Sequence, residues 1–247
     1  MKALFLLPVG LLALGGYVYA GSHLAQSTSK RYPTVKGNGK VINQNRNVAP
    51  YTKVVIGSSF EGQFFESTPG PLTISAESNL LSMIETKVEN GTLYVTTKGS
   101  ITTEKGFRIT GRTAKISAFD ASGAAKIELK NIGKHPLDLK TSGATKMSIF
   151  GAPSSLKVDA SGASQISFGK LTLDSLVAEV SGASKLSLSG TAKSATFNAS
   201  GASQISGKLS GGKFKAVASG ASKVDISGYF NTASTSASGA SSISKPH

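Results

Sequence analysis

Leu156-Lys157-Val158-Asp159-Ala160-Ser161-Gly162-Ala163-Ser164-Gln165-Ile166-Ser167-Phe168 is the stretch that decides how this chain folds. It returns without gaps as Leu176-Val177-Ala178-Glu179-Val180-Ser181-Gly182-Ala183-Ser184-Lys185-Leu186-Ser187-Leu188. The central tripeptide Ser-Gly-Ala begins at Ser122, Ser142, Ser161, Ser181, Ser200, Ser219 and Ser238, at intervals of 19 or 20 residues. A fixed period this short means one small unit stacked on itself. Apolar or small residues alternate with polar ones before the tripeptide (Leu156, Val158, Ala160) and after it (Ile166, Phe168). Period two is the mark of a strand with one buried face, and the three- and four-residue spacing of an amphipathic helix is missing.

Between the two runs stands a recurrent glycine: Gly123, Gly143, Gly162, Gly182, Gly201, Gly220 and Gly239. Each is predicted as a structural corner, where φ is positive or a side chain would clash. A unit of about 20 residues cannot bury a core alone; stacking pairs each strand with its equivalent one coil along. The predicted fold is all-β: a right-handed, single-stranded parallel β-helix with short coils and an N-terminal β cap. The hand follows from the rule for parallel crossovers. Near-identical turns at constant spacing argue against an antiparallel sandwich or barrel. Leu137, Leu156, Leu176, Phe197 and Phe214 are expected inside one wall, and Ile127, Met147, Ile166, Leu186, Ile205, Val224 and Ile243 inside the next.

Outside the repeats the chain divides by texture. Residues 1–20 are Met-Lys and an apolar run, the pattern of an export signal peptide with Val18-Tyr19-Ala20 as cleavage site, or of a short uncleaved N-terminal anchor. Either reading places the rest of the chain in the periplasm or at the cell surface. Residues 21–45, rich in Ser, Gly, Asn and Lys, read as a linker. Residues 46–112 read as an N-terminal β segment and cap, with a hairpin signal at Asn90-Gly91. Residues 113–245 are the repeat β-helix. No capping element is visible at its far end, which is expected to pair with a second subunit. There is no Cys, hence no disulfide framework and no cysteine-linked lipid.

Charge points to partners. The chain has 27 Lys and Arg against 13 Asp and Glu, a net charge of +14. Such an excess favours lipopolysaccharide, acidic polysaccharide or another polyanion; specific nucleic-acid recognition is not expected. Stacking turns Lys126, Lys146, Lys185 and Lys223 into a row, with Gln165 and Gln204 between them. One reading of this row is a cationic stripe for a regularly charged polymer. The other is purely structural: alternation with Gln relieves repulsion between like charges in adjacent coils, and Lys solubilises a β surface. The tripeptide serines are expected to bond to backbone at the corners.

No catalytic set is expected. His23, His135 and His247 are isolated in the sequence, and Asp120 and Asp159 occupy one repeat position two coils apart. Neither a metal-ligand cluster nor a cofactor fingerprint is present.

Asn45-Arg46-Asn47-Val48-Ala49-Pro50-Tyr51-Thr52-Lys53-Val54-Val55-Ile56-Gly57-Ser58 resembles the opening of the head GIN domain of putative auto-transporter adhesins. Asn79-Leu80-Leu81, Ile84-Glu85-Thr86 and Val88-Glu89-Asn90-Gly91-Thr92-Leu93 are similar to its next signature, and the Ser-Gly repeats to its tail. The resemblance implies an exported β-helical domain at the bacterial envelope. Where that family has Asp after the bend, this chain has Lys126, Lys146, Gln165, Lys185, Gln204, Lys223 and Ser242, so an acidic role of that position is not carried over. The expected function is a non-enzymatic envelope protein, an adhesin-like or scaffold module that binds anionic glycans through a basic face. A polysaccharide lyase or hydrolase, and a structural spacer without ligand, are the alternatives.

Overall fold

The computed structural model describes residues 34–244 and consists of strands with one short 3-10 helix, Leu81–Met83. The first strands are β1 (Val35–Lys36), β2 (Val41–Arg46), β3 (Lys53–Ile56), β4 (Phe60–Glu66), β5 (Leu72–Glu77), β6 (Ile84–Glu89), β7 (Thr92–Thr97), β8 (Ile101–Thr102) and β9 (Phe107–Thr113). The repeats supply β10 (Ala118–Ala121), β11 (Lys126–Ile132), β12 (Pro136–Thr141), β13 (Lys146–Gly151), β14 (Ser155–Ala160) and β15 (Gln165–Val180). They continue through β16 (Lys185–Ala199), β17 (Gln204–Ala218), β18 (Lys223–Ser227), β19 (Phe230–Ala237) and β20 (Ser242–Ser244). The signal or anchor expected over 1–20 lies outside the described residues.

Every strand of the repeats pairs in parallel with its equivalent one rung along, which makes a β-solenoid. Wall A runs from β10 through β12 and β14 into the later halves of β15, β16 and β17, and on to β19. Wall B runs from β11 through β13 and the earlier halves of β15, β16 and β17 to β18 and β20. Inside wall B the register joins Ile127, Met147, Ile166, Leu186, Ile205, Val224 and Ile243 in one ladder. All but the terminal Ile243 are buried, and each such side chain contributes roughly 1.5–3 kcal/mol by leaving water.

Wall A departs from expectation at one residue. Leu137, Leu156 and Leu176 align with Ala195 and then Phe214; Phe197 stands in the neighbouring inward column, with Leu139, Val158, Ala178 and Ala216. The period of two keeps Phe197 inside but does not distinguish positions two apart. Volume explains the offset. Successive rungs present Leu176 with Ala178, Ala195 with Phe197, and Phe214 with Ala216, so a large side chain always packs over a small one. The rings of Phe197 and Phe214 lie 5.7 Å apart, and those of Phe214 and Phe230 5.1 Å.

The corner glycines all have positive φ. At Gly182 φ is +67, and a Cβ would sit 2.5 Å from the carbonyl oxygen of Gly162. That approach lets Ala183 N–H donate to Gly162 at 2.7 Å and Ala202 N–H to Gly182 at 2.8 Å, so the hydrogen-bond ladder continues round the bend. The hydroxyls that close the corner differ from expectation. Tripeptide serines reach carbonyls only at long range, as Ser161 does at 3.3 Å and Ser181 at 3.4 Å. The buried hydroxyls are three residues on: Ser164 donates to Ser161 at 2.8 Å, Ser222 to Ser219 at 2.8 Å, and Thr145 to Ser142 at 2.8 Å. This side chain points inward at the turn and is satisfied by backbone carbonyls, either the local one or one of the preceding rung, as Ser203 donates to Val180 at 3.0 Å and Ser222 also to Ala199 at 3.1 Å.

The N-terminal segment extends the solenoid out of chain order. β3 and β4 pair in parallel with β10 and β11, and β7 and β9 pair in parallel with β3 and β4. The chain thus forms one rung, steps back to build the rung before it, and then crosses over to start the repeats. The antiparallel strands close that end: β6 on β7, β5 on β9, and β2 on β5. The linker expected over 21–45 therefore contains β1 and most of β2, because Val41–Arg46 finds a free edge on β5. The Asn90-Gly91 turn joins β6 to β7 with φ of 49 and 70, the geometry of a tight hairpin. At the far end, no described strand pairs the outer edges of β19 and β20.

Glu77, buried at the end of β5, accepts hydrogen bonds from Gly39 N–H at 2.8 Å and Thr103 Oγ1 at 2.5 Å. The Thr103 bond above all holds its carboxyl below the ordinary value. A carboxyl lowered in the folded state stabilises it above the unfolded value, and that contribution is lost as pH falls through the folded value. Wild type is therefore expected to exceed Glu77→Gln in melting temperature at neutral pH, with a gap that closes as pH falls below the ordinary 4.5. A gap independent of pH contradicts this assignment.

Candidate functional site

The outer face of wall B is three columns wide because alternate residues point outward. Its first column reads Arg108, Glu61, Lys126, Lys146, Gln165, Lys185, Gln204, Lys223 and Ser242 in register. The four predicted lysines thus share one column. Lys126 and Lys146 occupy adjacent rungs, about 4.8 Å apart, while Lys146, Lys185 and Lys223 recur at every second rung, about 10 Å apart. The second column reads Gln63, Glu128, Ser148, Ser167, Ser187, Ser206, Asp225 and Ser244. Lys146, Ser148, Gln165, Ser167, Lys185 and Ser187 line a shallow groove between the two.

Neighbouring carboxylates are already engaged. Glu61 pairs with Arg108 at 3.1 Å, and Asp225 with Lys223 at 3.0 Å. Glu128 takes Lys130 at 3.0 Å and Gln63 Nε2 at 3.0 Å, and the Lys130 bond lowers its carboxyl below the usual range. Among the described residues Lys126, Lys146 and Lys185 have no ion-pair partner, and all are exposed. The geometry separates them from Lys223, whose charge is offset by Asp225 two residues along its own strand.

The third column was missed in the sequence. It holds Arg112, Phe65 and Lys130 in register, and Phe150 stands on the same outward face of β13. Lys130 Nζ lies 5.5 Å from the Phe65 ring centroid, a cation–π contact. Phe150 is half exposed. Period two counted onward from Lys146 through Ser148 was the signal that could have placed it there.

Wall A has an outward column richer in acids. Its outward column reads Asp120, Lys140, Asp159, Glu179 and Asn198. Asp120 and Asp159 are two rungs apart as expected, but Asp159 has a nearer neighbour, Glu179, in the next rung. Burial pushes the Asp120 carboxyl up, against the pull of Lys140. Of the histidines, His135 is not isolated: its Nε2 donates to Glu66 at 2.6 Å. Glu66 also accepts the N–H groups of Ile116 and Gly133, both at 2.6 Å. This cluster ties loops together, a structural role. His23 and His247 lie outside the described residues, among which no three His, Asp or Glu residues gather as for a metal ion.

The profile of one family, described as putative auto-transporter adhesin, head GIN domain, matches residues 50–209. The chain belongs to the head GIN domain family. The match starts just before β3 and ends within β17, so it covers the rungs on both sides of the chain crossover. Solved structures share the head GIN solenoid at low identity. A putative adhesin from Parabacteroides merdae ATCC 43184 is 17% identical, with a TM-score of 0.74 over 85% of this chain and 98% of that one. A putative adhesin from Bacteroides fragilis NCTC 9343 is 18% identical, with a TM-score of 0.73 over 85% and 98%. A putative lipid binding protein from Parabacteroides distasonis ATCC 8503 is 19% identical, with a TM-score of 0.72 over the same shares, 85% and 98%. No curated protein matches this head GIN chain.

Proposed function

We propose that this chain is a non-enzymatic, exported module of the cell envelope, adhesin-like in role, that binds an anionic glycan such as an acidic polysaccharide or lipopolysaccharide. The binding face is the outer side of wall B, with Lys126, Lys146, Lys185 and Lys223 as its cations. One observation carries this reading. Lys146 and Lys185, two rungs apart, stand beside a row of serine hydroxyls, Lys126 is on the rung next to Lys146, and the carboxylates around them are spent on other partners. Like charges in adjacent rungs repel. An anion lying over Lys126 and Lys146 relieves that repulsion, and charge-assisted bonds to it are the strong ones. The family's adhesin description supports export to the periplasm or cell surface.

The test is a titration of purified protein with polygalacturonate and with lipopolysaccharide over a salt series, with polymer length followed in parallel. Binding is expected to weaken steeply as salt rises, because surface charges are screened, and the polymer stays intact. Absence of binding at low salt overturns the reading. Shortening of the polymer replaces it with the lyase or hydrolase.

A further inference from the structure

A half-exposed phenylalanine is out of place on a wall whose other outward residues are mostly Lys, Gln and Ser, and the backbone around Phe150 is built to leave it open. On one side lies a bulge. The register passes from Leu129–Ile149 to Ile132–Gly151, so Lys130 and Asn131 together oppose Phe150 alone. Asn131 has a φ of 61, a left-handed conformation uncommon outside glycine. A bulge of this kind re-aims side chains, and bulges concentrate next to functional sites. On the other side, Ile149 is in register with Phe168, and the residue that follows is Gly169. Gly169 itself carries no side chain that could lie against the ring. Lys130 itself is held away by Glu128 and by the face of Phe65.

Along the same strand, Ser148 and Lys146 follow Phe150 on the outward face. From Phe150 to Lys146 is four residues of strand, about 13 Å, a span suited to a short oligosaccharide. An aromatic ring, a hydroxyl and an ammonium in that order match the apolar face of a pyranose, its hydroxyls and the carboxylate of a neighbouring uronic acid. A lipid tail needs a contiguous apolar surface, whereas the two columns beside Phe150 are polar throughout, mostly Lys, Gln and Ser with Glu128 next to Ser148.

We propose that Phe150 is a stacking platform for one sugar ring of an acidic polysaccharide, and that the sugar chain crosses the solenoid along β13, from Phe150 over Ser148 to Lys146. The inference rests on the glycan-binding reading above and adds to it an aromatic subsite and a direction. A tetramer lying along β13 meets Lys146 directly, whereas Lys185 and Lys223, two and four rungs further along the column, act chiefly on longer polymers.

The experiment is calorimetric titration of the full chain with a tetramer of galacturonic acid and with long polygalacturonate. Phe150→Ala is expected to weaken tetramer binding about three- to tenfold, the range for an aromatic contact. Phe150→Tyr retains it, Lys146→Gln weakens it, and Lys185→Gln, two rungs along the column, weakens it less than Lys146→Gln does. Phe150 is exposed, so the melting temperatures of these variants match wild type. Equal tetramer binding by wild type and Phe150→Ala overturns the platform while leaving the basic face in place. Loss with Lys185→Gln as large as with Lys146→Gln overturns the direction. Failure of wild type to bind either saccharide overturns both this inference and the reading beneath it. Phe150-dependent binding to anionic phospholipid vesicles, with no saccharide binding, replaces the sugar by a membrane surface.

Discussion

Gly182→Ala is expected to lower the melting temperature by about 10 °C. Two costs add. The left-handed conformation at φ +67 is unfavourable for a residue with a Cβ, by roughly 1–2 kcal/mol. The new Cβ also lands 2.5 Å from the Gly162 carbonyl oxygen, a backbone atom that cannot move without breaking the rung; forcing such a contact costs roughly 1–3 kcal/mol. For a chain of this size each kcal/mol is about 2–4 °C. Gly91→Ala separates the two costs. Gly91 has a similar φ, +70, but nothing lies within 4 Å of its Cβ position. It bears only the conformational penalty, and its melting temperature is expected to fall by about 3 °C. Equal losses in the two variants contradict the close-stacking account of the corner.

Glu66→Ala is expected to cost about 3 kcal/mol, far more than one ordinary side-chain contact. Glu66 sits at the end of β4 with its side chain nearly buried, and its carboxylate receives the backbone N–H of Ile116, the backbone N–H of Gly133 and His135 Nε2. Ile116 belongs to the connection from β9 to β10, and Gly133 to that from β11 to β12. One carboxylate therefore anchors the crossover into the repeats and the first repeat's own loop. Removing it orphans two backbone donors, each at roughly 1–3 kcal/mol. Glu66→Gln, which keeps one acceptor oxygen, falls between. Denaturant unfolding gives the cost, and hydrogen exchange locates it: the Ile116 and Gly133 amides lose protection first. A Glu66→Ala stability within about 0.5 kcal/mol of wild type contradicts this role.

What the sequence revealed and what it concealed divide along physical lines. Parallel stacking maps equal repeat positions onto each other, so the ladder from Ile127 to Ile243 and the lysine column could be read residue by residue. The same logic loses Phe197, because inward positions two apart look alike until volumes are compared across rungs. The N-terminal rungs were hidden for another reason. β7 and β9 come later in the chain than β3 and β4 but stack beneath them, and a reading in chain order sees only irregular strands before residue 113. The Glu66 cluster joins residues 50 to 69 positions apart through backbone donors, which leave no trace in side-chain patterns. Phe150 was legible in principle from its distance to Lys146, yet an aromatic among aliphatics reads first as core.

The proposed basic face makes a demand that a merely cationic protein does not. A net charge of +14 attracts any polyanion, whereas the lysine column requires particular positions. The measurement that separates the two compares affinity for polygalacturonate at low salt between two variants of equal charge. One changes Lys126, Lys146, Lys185 and Lys223 to Gln; the other changes four of the outward lysines of wall A, Lys53, Lys157, Lys213 and Lys215, to Gln. The account predicts that the first variant loses most of the binding and the second keeps it. Equal losses in both would contradict it and leave only the attraction of overall charge.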